Sequence, residues 1–458
     1  MKLSKKQKIQ LHRPRPLLFL VVIAILGVPL VGLFAMGHRA RQQQPKIDRQ
    51  AIQYFSDLPV YVQNESALEF DRLATDLGFL TNGGNDPTLK INPDAAVAFQ
   101  TITPSLLTFL HAQTTKTAGP LDAPPPDLAS YLDTYDDTIK KIQAHMLSAE
   151  LPLWEMDMLH MPIDSLLPGF VNVFHVQKLL LLSVIDTHQQ GRTADSIETL
   201  EASWRLNQAI AQRPDLVSQT LAAIVSAQQA GIIRHLQAVP THWQRRLSEQ
   251  NQQRSVIDGV TFEMWLQYLA TRRSWQPPRQ TAQTGETLES LYSTTTGGPK
   301  ETAFPRLSSL FSPEAYFQLI FLDTIANAQE SLTQLGELDV CSTPPVVVEQ
   351  LIDTVQTARW HKGAALSPMV TAKRWKLAGD RALAAELSQQ VLQVKQHFTR
   401  HGTWPEALAN PNSLTCPGES WIYTVSEENT VTITLSKTLL TLPVIPLQYQ
   451  TERPAKDT

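Results

Sequence analysis

Hydrophobic positions along the chain fall into three regimes. Over residues 17–36 they are continuous, LLFLVVIAILGVPLVGLFAM, without a charged residue. An uncharged run of about 20 residues is what a helix needs to cross about 30 Å of hydrocarbon. From there to about residue 401 apolar positions recur every three or four residues, the period of helices that turn one face to a core. After residue 420 they alternate over 421–425 and 431–435 about a Glu427-Glu428-Asn429 turn, the pattern of a β-hairpin, with 447–450 suited to a third strand.

Gly and Pro divide the helical regime. Leu68, Leu73, Leu77 and Leu80 place a helix over 66–80 that the 82–87 segment, NGGNDP, stops. A run from Pro93 to about residue 111 contains Pro104, which is expected to kink or divide it. Residues 117–126, with Pro120 and Pro124-Pro125-Pro126, read as a stiff linker. The helix over 127–148 follows Leu128, Tyr131, Tyr135, Ile139, Ile142 and Met146. The Met- and Trp-bearing stretch 151–168 reads as a buried connector. Helices are then expected over 170–190, 193–212, 215–238, 241–253 and 255–275, the first three ended by Gly191, Pro214 and Pro240. Residues 276–312 are polar and Gly/Thr-rich, a long loop, and helices resume over 314–335, 345–360 and 371–400.

The fold class expected is therefore mainly α: an N-terminal transmembrane helix, a body of antiparallel helices forming a bundle or short α-solenoid, and a small C-terminal β element. In order these are a basic cytoplasmic tail (1–16), the span (17–37), a first helical unit with its Pro-rich linker (38–126), a helical array (127–275), the polar loop (276–312), C-terminal helices (313–401) and the β element with its tail (402–458). No strict 34-residue repeat runs through the array.

Charge gives the span a direction. Lys2, Lys5, Lys6, Lys8, Arg13 and Arg15 precede it, against Arg39, Arg41, Lys46 and Arg49 just after it, a bias for a cytoplasmic N-terminus and an extracytoplasmic body. The expected location is a bacterial inner membrane, crossed once. A cleaved signal peptide competes, because Ala35-Met36-Gly37 fits a small-x-small cleavage pattern; the length of the apolar run and the basic residues after it favour a retained anchor. The formal net charge is −4 and the six basic residues of the tail meet no acid there, so the rest of the chain is more acidic than the total. An acidic body without a basic, aromatic-interleaved stripe excludes nucleic acid as the expected partner. Partners are the bilayer, through 17–36, and another envelope protein.

Candidate chemistry is sparse. Cys341 and Cys416, both in Pro-bearing loops, are the two cysteines, so one intramolecular disulfide is available to them in an oxidising compartment, against two free thiols. His397 and His401 share a helix face with metal-pair spacing, but Phe398, Thr399 and Arg400 lie between them and a solvated or capping role is expected. His160 near Glu155 and Asp157 has the composition of an acid/base or metal cluster in a setting of Met, Trp and Pro that suits packing. Asp133, Asp136 and Asp137 read as a solvated helix face. No Gly-x-Ser-x-Gly, phosphate-loop, dinucleotide or Cys-x-x-Cys signature is present, and no catalytic residue, cofactor or metal site is assigned.

The last long helix runs into the phrase Arg400-His401-Gly402-Thr403-Trp404-Pro405, and then into a loop and the hairpin. This 391–435 stretch resembles the element that follows the helix in type II secretion pseudopilins, and the C-terminal tails of membrane-anchored bacterial helical proteins. The resemblance rests on Gly402, Trp404 and Pro405. Unlike a pilin, the long helix is separate from the membrane span and no prepilin cleavage motif precedes the anchor. Physically, Gly402 supplies a left-handed helix stop and Trp404-Pro405 packs back over the last turn. The expected function is that of a non-enzymatic envelope scaffold whose helical body binds protein; the alternative is a membrane-tethered hydrolase of envelope polymers with a site assembled from dispersed groups such as His160 and Glu155.

Overall fold

In the computed structural model the described residues are 16–59, 61–81, 88–156, 169–237, 239–249, 251–274, 313–357, 368–436 and 447–451. They form twelve helices and a three-stranded sheet, so the chain is mainly helical with a small β element. The loop expected over 276–312 lies outside these residues. The chain divides into two compact units, one of 1–57, 277–327 and 360–363, the other of 58–276, 328–359 and 364–458.

In the first unit α1 (Pro16–Ser56) is a single helix of 41 residues. The helix does not stop where the expected span ends but continues through Pro45 to Ser56. The stretch after Gly37 is rich in Arg, Gln and Ala, which favour helix, and no Gly interrupts it. Ala40, Ile47, Ala51 and Phe55 form its buried stripe.

The second unit holds α2 (Glu65–Asp76), α3 (Pro93–Thr114), α4 (Pro126–Ser148), α5 (Phe170–Gln189), α6 (Thr193–Ala211), α7 (Leu216–Ile233), α8 (His242–Glu249) and α9 (Gln252–Ser274). The end of α10 (Pro313–Glu337), with α11 (Pro345–Thr357) and α12 (Pro368–His401), completes its helices. Polar caps mark several starts. Asn64 accepts from the Ala67 amide at 2.9 Å, and Asp215 takes the Ser218 amide at 2.8 Å. Pro104 does not divide α3, which runs through it as one helix, so the expected division is corrected. Pro104 lies on the exposed side, where water can serve the carbonyl left without its amide donor.

Helix α7 is central and packs on α3, α5, α6, α9 and α12. Gly231 lets it approach α3, since a Cβ there would stand 2.4 Å from the Thr114 carbonyl oxygen. The core cluster joins Phe70, Leu106, Ile142, Leu181, Leu206 and Ile232 across these helices. Among the described residues three helices, α3, α5 and α7, are long and apolar enough to cross a membrane by length and composition, which corrects the expectation of a single N-terminal candidate. Packing accounts for two of them, since 67% of the most apolar window of α5 and 61% of that of α7 are buried inside the protein, against 33% for α3.

Strands β1 (Trp421–Val425), β2 (Val431–Leu435) and β3 (Gln448–Thr451) form an antiparallel sheet in that order. Trp421 pairs with Leu435 and Val425 with Val431, and Asn429 takes the positive φ of the turn. The period-two face Val431, Ile433, Leu435 is buried with Trp421 and Tyr449 against Leu383, Leu387, Val391 and Val394 of α12.

Candidate functional site

Four buried ionisable groups, Arg234, His235, Lys395 and Tyr449, gather where α7 ends. The helix was expected to reach residue 238 and stops at Ile233. Its last turn tightens, with the His235 and Leu236 amides donating three residues back to Ile232 and Ile233. Two carbonyls just past the helix are taken by Lys395 of α12, whose Nζ donates to Arg234 O at 2.5 Å and Leu236 O at 3.2 Å. This is a cation at a helix C-terminus, where the dipole favours it. Burial works the other way and brings the Lys395 ammonium down to about 7.

Arg234 is wholly buried, and its guanidinium makes one hydrogen bond among the described residues, Nη2 to Thr114 O at 3.1 Å. Its Nε and Nη1 have no partner among the described residues. The imidazole of His235 lies between two carbonyls, Gly119 O at 2.8 Å and Lys116 O at 3.1 Å. Burial, with the Arg234 and Lys395 charges, pushes it down to about 4 against the pull of those carbonyls. A neutral ring has one N–H, so it satisfies one carbonyl at a time at neutral pH. Tyr449 of β3 packs edge-on against His235 at 5.2 Å, with Lys395 Nζ 5.5 Å from its ring, and burial raises its phenol to about 12. The Gln450 amide donates to Thr117 O at 2.7 Å, so the sheet also holds the 114–119 segment in place. Among the described residues no carboxylate pairs with Arg234 or Lys395.

Beside this cluster a cleft of about 720 Å³ opens between the first turn of α6, the 237–241 connector and the C-terminal turns of α12. Lys395 belongs to both the cluster and the cleft. A second cleft of about 430 Å³ lies between α4, α5 and α6, lined by Asp133, Asp136, Asp186, Asp195 and Glu198. Burial, helped by Asp133, raises the Asp186 carboxyl, while Asp136 is paired with Lys140 at 2.7 Å.

The residues singled out in the sequence occupy other places. Cys341 and Cys416 are joined, with Cα atoms 5.3 Å apart. Gly402 has φ +70°, and its amide donates to Phe398 O at 2.8 Å, closing α12. Trp404 stacks on Phe398 with centroids 4.3 Å apart, and its indole N–H donates to Asn429 O at 3.1 Å, so the helix end is pinned to the hairpin turn. Pro405 lines a groove beside the last turns of α12. The His397 and His401 rings lie 4.5 Å apart, and His397 Nδ1 is 3.0 Å from Thr403 O, a capping arrangement. Glu155 is exposed, while Asp157 and His160 lie outside the described residues. Among the described residues no group of three or more His, Cys, Asp or Glu is arranged for a metal.

Arg234, His235, Lys395 and Tyr449 escaped the sequence reading because they are dispersed, Lys395 lying 161 positions from Arg234. A charged Arg-His pair closing an apolar helix was the available signal. No family model, curated protein or solved structure matches the chain.

Proposed function

We propose that the protein is a single-pass anchor in the inner membrane of a bacterial envelope, with a helical extracytoplasmic body that binds another envelope protein. The observation that carries the reading is α1, one helix whose first half is the uncharged 17–36 segment and whose second half bears Arg39, Arg41, Lys46, Asp48 and Arg49. A span of about 20 residues leaves as many again as a helical stalk of about 30 Å beyond the bilayer.

Helices α5 and α7 are packed as parts of the body rather than as further crossings. Helices α5 and α6 share buried polar groups whose bonds are made within the protein, Gln177 with the Ser203 hydroxyl at 2.7 Å and Gln229 of α7 with the same hydroxyl at 2.9 Å. Side chains joined in this way belong to a packed body. The Cys341–Cys416 bond agrees with an oxidising side for that body.

Helix α3 is the surface on offer to a partner. Its outward positions Val97, Gln100, Thr101, Pro104, Leu107 and Thr108 carry no charge, and Val97 and Leu107 are 64% and 46% exposed. A photo-crosslinking residue at Leu107 of the full chain in cells is expected to give one discrete protein adduct that Val97→Arg abolishes. An adduct indifferent to that charge, or only lipid adducts, would remove the protein-binding reading. A periplasm-active reporter fused after residue 458 is expected to be active; a silent fusion beside an active cytoplasmic one would reverse the orientation.

A further inference from the structure

The cleft at the start of α6 has a mixed character. Ile197, Val239, Pro240 and Leu392 give it apolar walls. Polar donors line the rest. Lys395 contributes an ammonium held by two carbonyls, and Arg400 an exposed guanidinium without an ion-pair partner among the described residues. Gln396 Nε2 is buried with no acceptor, while its Oε1 takes the Gln244 side chain at 2.8 Å. The first turn of α6, Thr193 and Ala194, forms a wall, and Arg192 before it supplies no side-chain cap. One lining residue is an acid, Glu198.

We propose that this cleft binds an aliphatic carboxylate, with the chain against Ile197, Val239 and Leu392 and the carboxylate toward Lys395, Arg400 and the Gln396 amide. The physics is complementarity of two kinds. A cleft of about 720 Å³ is in the range of small-molecule sites, which are mostly apolar with a few polar groups fixing orientation. The exposed Arg400 guanidinium and the unmatched Gln396 N–H select an anionic acceptor, and Lys395, whose Nζ already serves two carbonyls, adds its one remaining N–H. A neutral or cationic head group of the same length gains the apolar contact and forfeits the charge-assisted bonds. Such a carboxylate has two sources, a free fatty acid or the C-terminus of a polypeptide ending in an apolar residue. The proposal concerns a different face from α3 and stands apart from the membrane and partner reading.

The experiment uses the full chain in nanodiscs, titrated with carboxyl-labelled octanoate followed by NMR and, in parallel arms, with octanol, octylammonium and a tetrapeptide ending in leucine as free acid or as amide. Saturable binding of octanoate or of the peptide acid is expected, with octanol, octylammonium and the peptide amide weaker by about tenfold or more; whichever acid binds more tightly names the source. Ile197→Trp, which fills the cleft, and Arg400→Glu, which reverses an exposed charge, are each expected to weaken binding about tenfold. Arg245→Glu, exposed on α8 outside the cleft, is expected to leave it unchanged. Lys395→Met is informative only where the fold survives, so the first two variants decide. Equal binding of acid and alcohol, binding untouched by Ile197→Trp and Arg400→Glu, or no saturable binding of either acid overturns the proposal.

Discussion

His235 is 4% exposed and pushed down to about 4, whereas an unfolded histidine titrates near 6.5. The unfolded chain therefore binds the extra proton first. Between pH 6.5 and 4 the unfolded state gains protons that the folded state refuses, so stability is present above 6.5 and lost as pH falls through that window. One such group is worth about 3 kcal/mol across it, at 1.36 kcal/mol per pH unit. His175, in ring contact with Phe79 and Phe99 and also pushed down to about 4, acts in the same direction. Thermal unfolding of the full chain between pH 4 and 7 is expected to show this slope, and His235→Asn to reduce it by roughly half. An unaltered slope would mean that His235 is not neutral in the fold. The same scale shows why the cluster was invisible beforehand. Two cysteines admit one pairing, so the sequence offers Cys341–Cys416 as its one intramolecular bond, against two free thiols. Lys395 and Arg234 meet at a helix end across 161 positions, and no local spacing records that.

Glu386 sits on α12 and acts as an organiser of the element next to it. Its carboxylate accepts from the Ser413 hydroxyl at 2.7 Å, the Thr415 hydroxyl at 2.5 Å, the Thr415 amide and the Trp421 indole at 3.3 Å. With the Cys341–Cys416 bond it fixes the loop that leads from α12 into β1. Glu386→Ala leaves these donors short of an acceptor and is expected to cost about 3 kcal/mol. Its mark is faster amide exchange over 413–421 and 431–435, with α5 and α6 unchanged; uniform acceleration would show that the β element does not unfold as a unit. Replacing both cysteines by serine removes a cross-link across a 75-residue separation, worth about 4 kcal/mol as an upper figure from chain entropy. Elements were the most legible level, because periodicity and Gly or Pro stops report helices directly. The misplaced edges have local causes. Pro104 sits on an exposed helix face where its lost donor is harmless, and α7 stops at Ile233, with Lys395 capping the carbonyls that follow.

At the scale of the molecule, membrane attachment and disulfide chemistry constrain each other. If residues 17–36 stay attached and cross the bilayer with the N-terminus inside, everything beyond α1 faces an oxidising space, and Cys341 and Cys416 persist as a bond. If the chain ran the other way, the reducing cytosol would leave two thiols. The arrangement of α1 could not be read beforehand, since the charged stretch after Gly37 looked like a stop at the interface, whereas helix-favouring residues carry it on for another five turns. The thiols therefore report the topology. Intact spheroplasts treated with a membrane-impermeant maleimide are expected to leave the full chain unlabelled, and to label both positions after brief denaturation and reduction from outside. Cys416→Ser frees Cys341, which is partly exposed, and should become labelled without reduction. Labelling of the parent chain that needs lysis but no reductant would place the body in the cytoplasm. Recovery of the chain in the soluble fraction, starting at residue 38, would replace the anchor by a cleaved leader while leaving the disulfide result intact, so the two readings separate in one experiment.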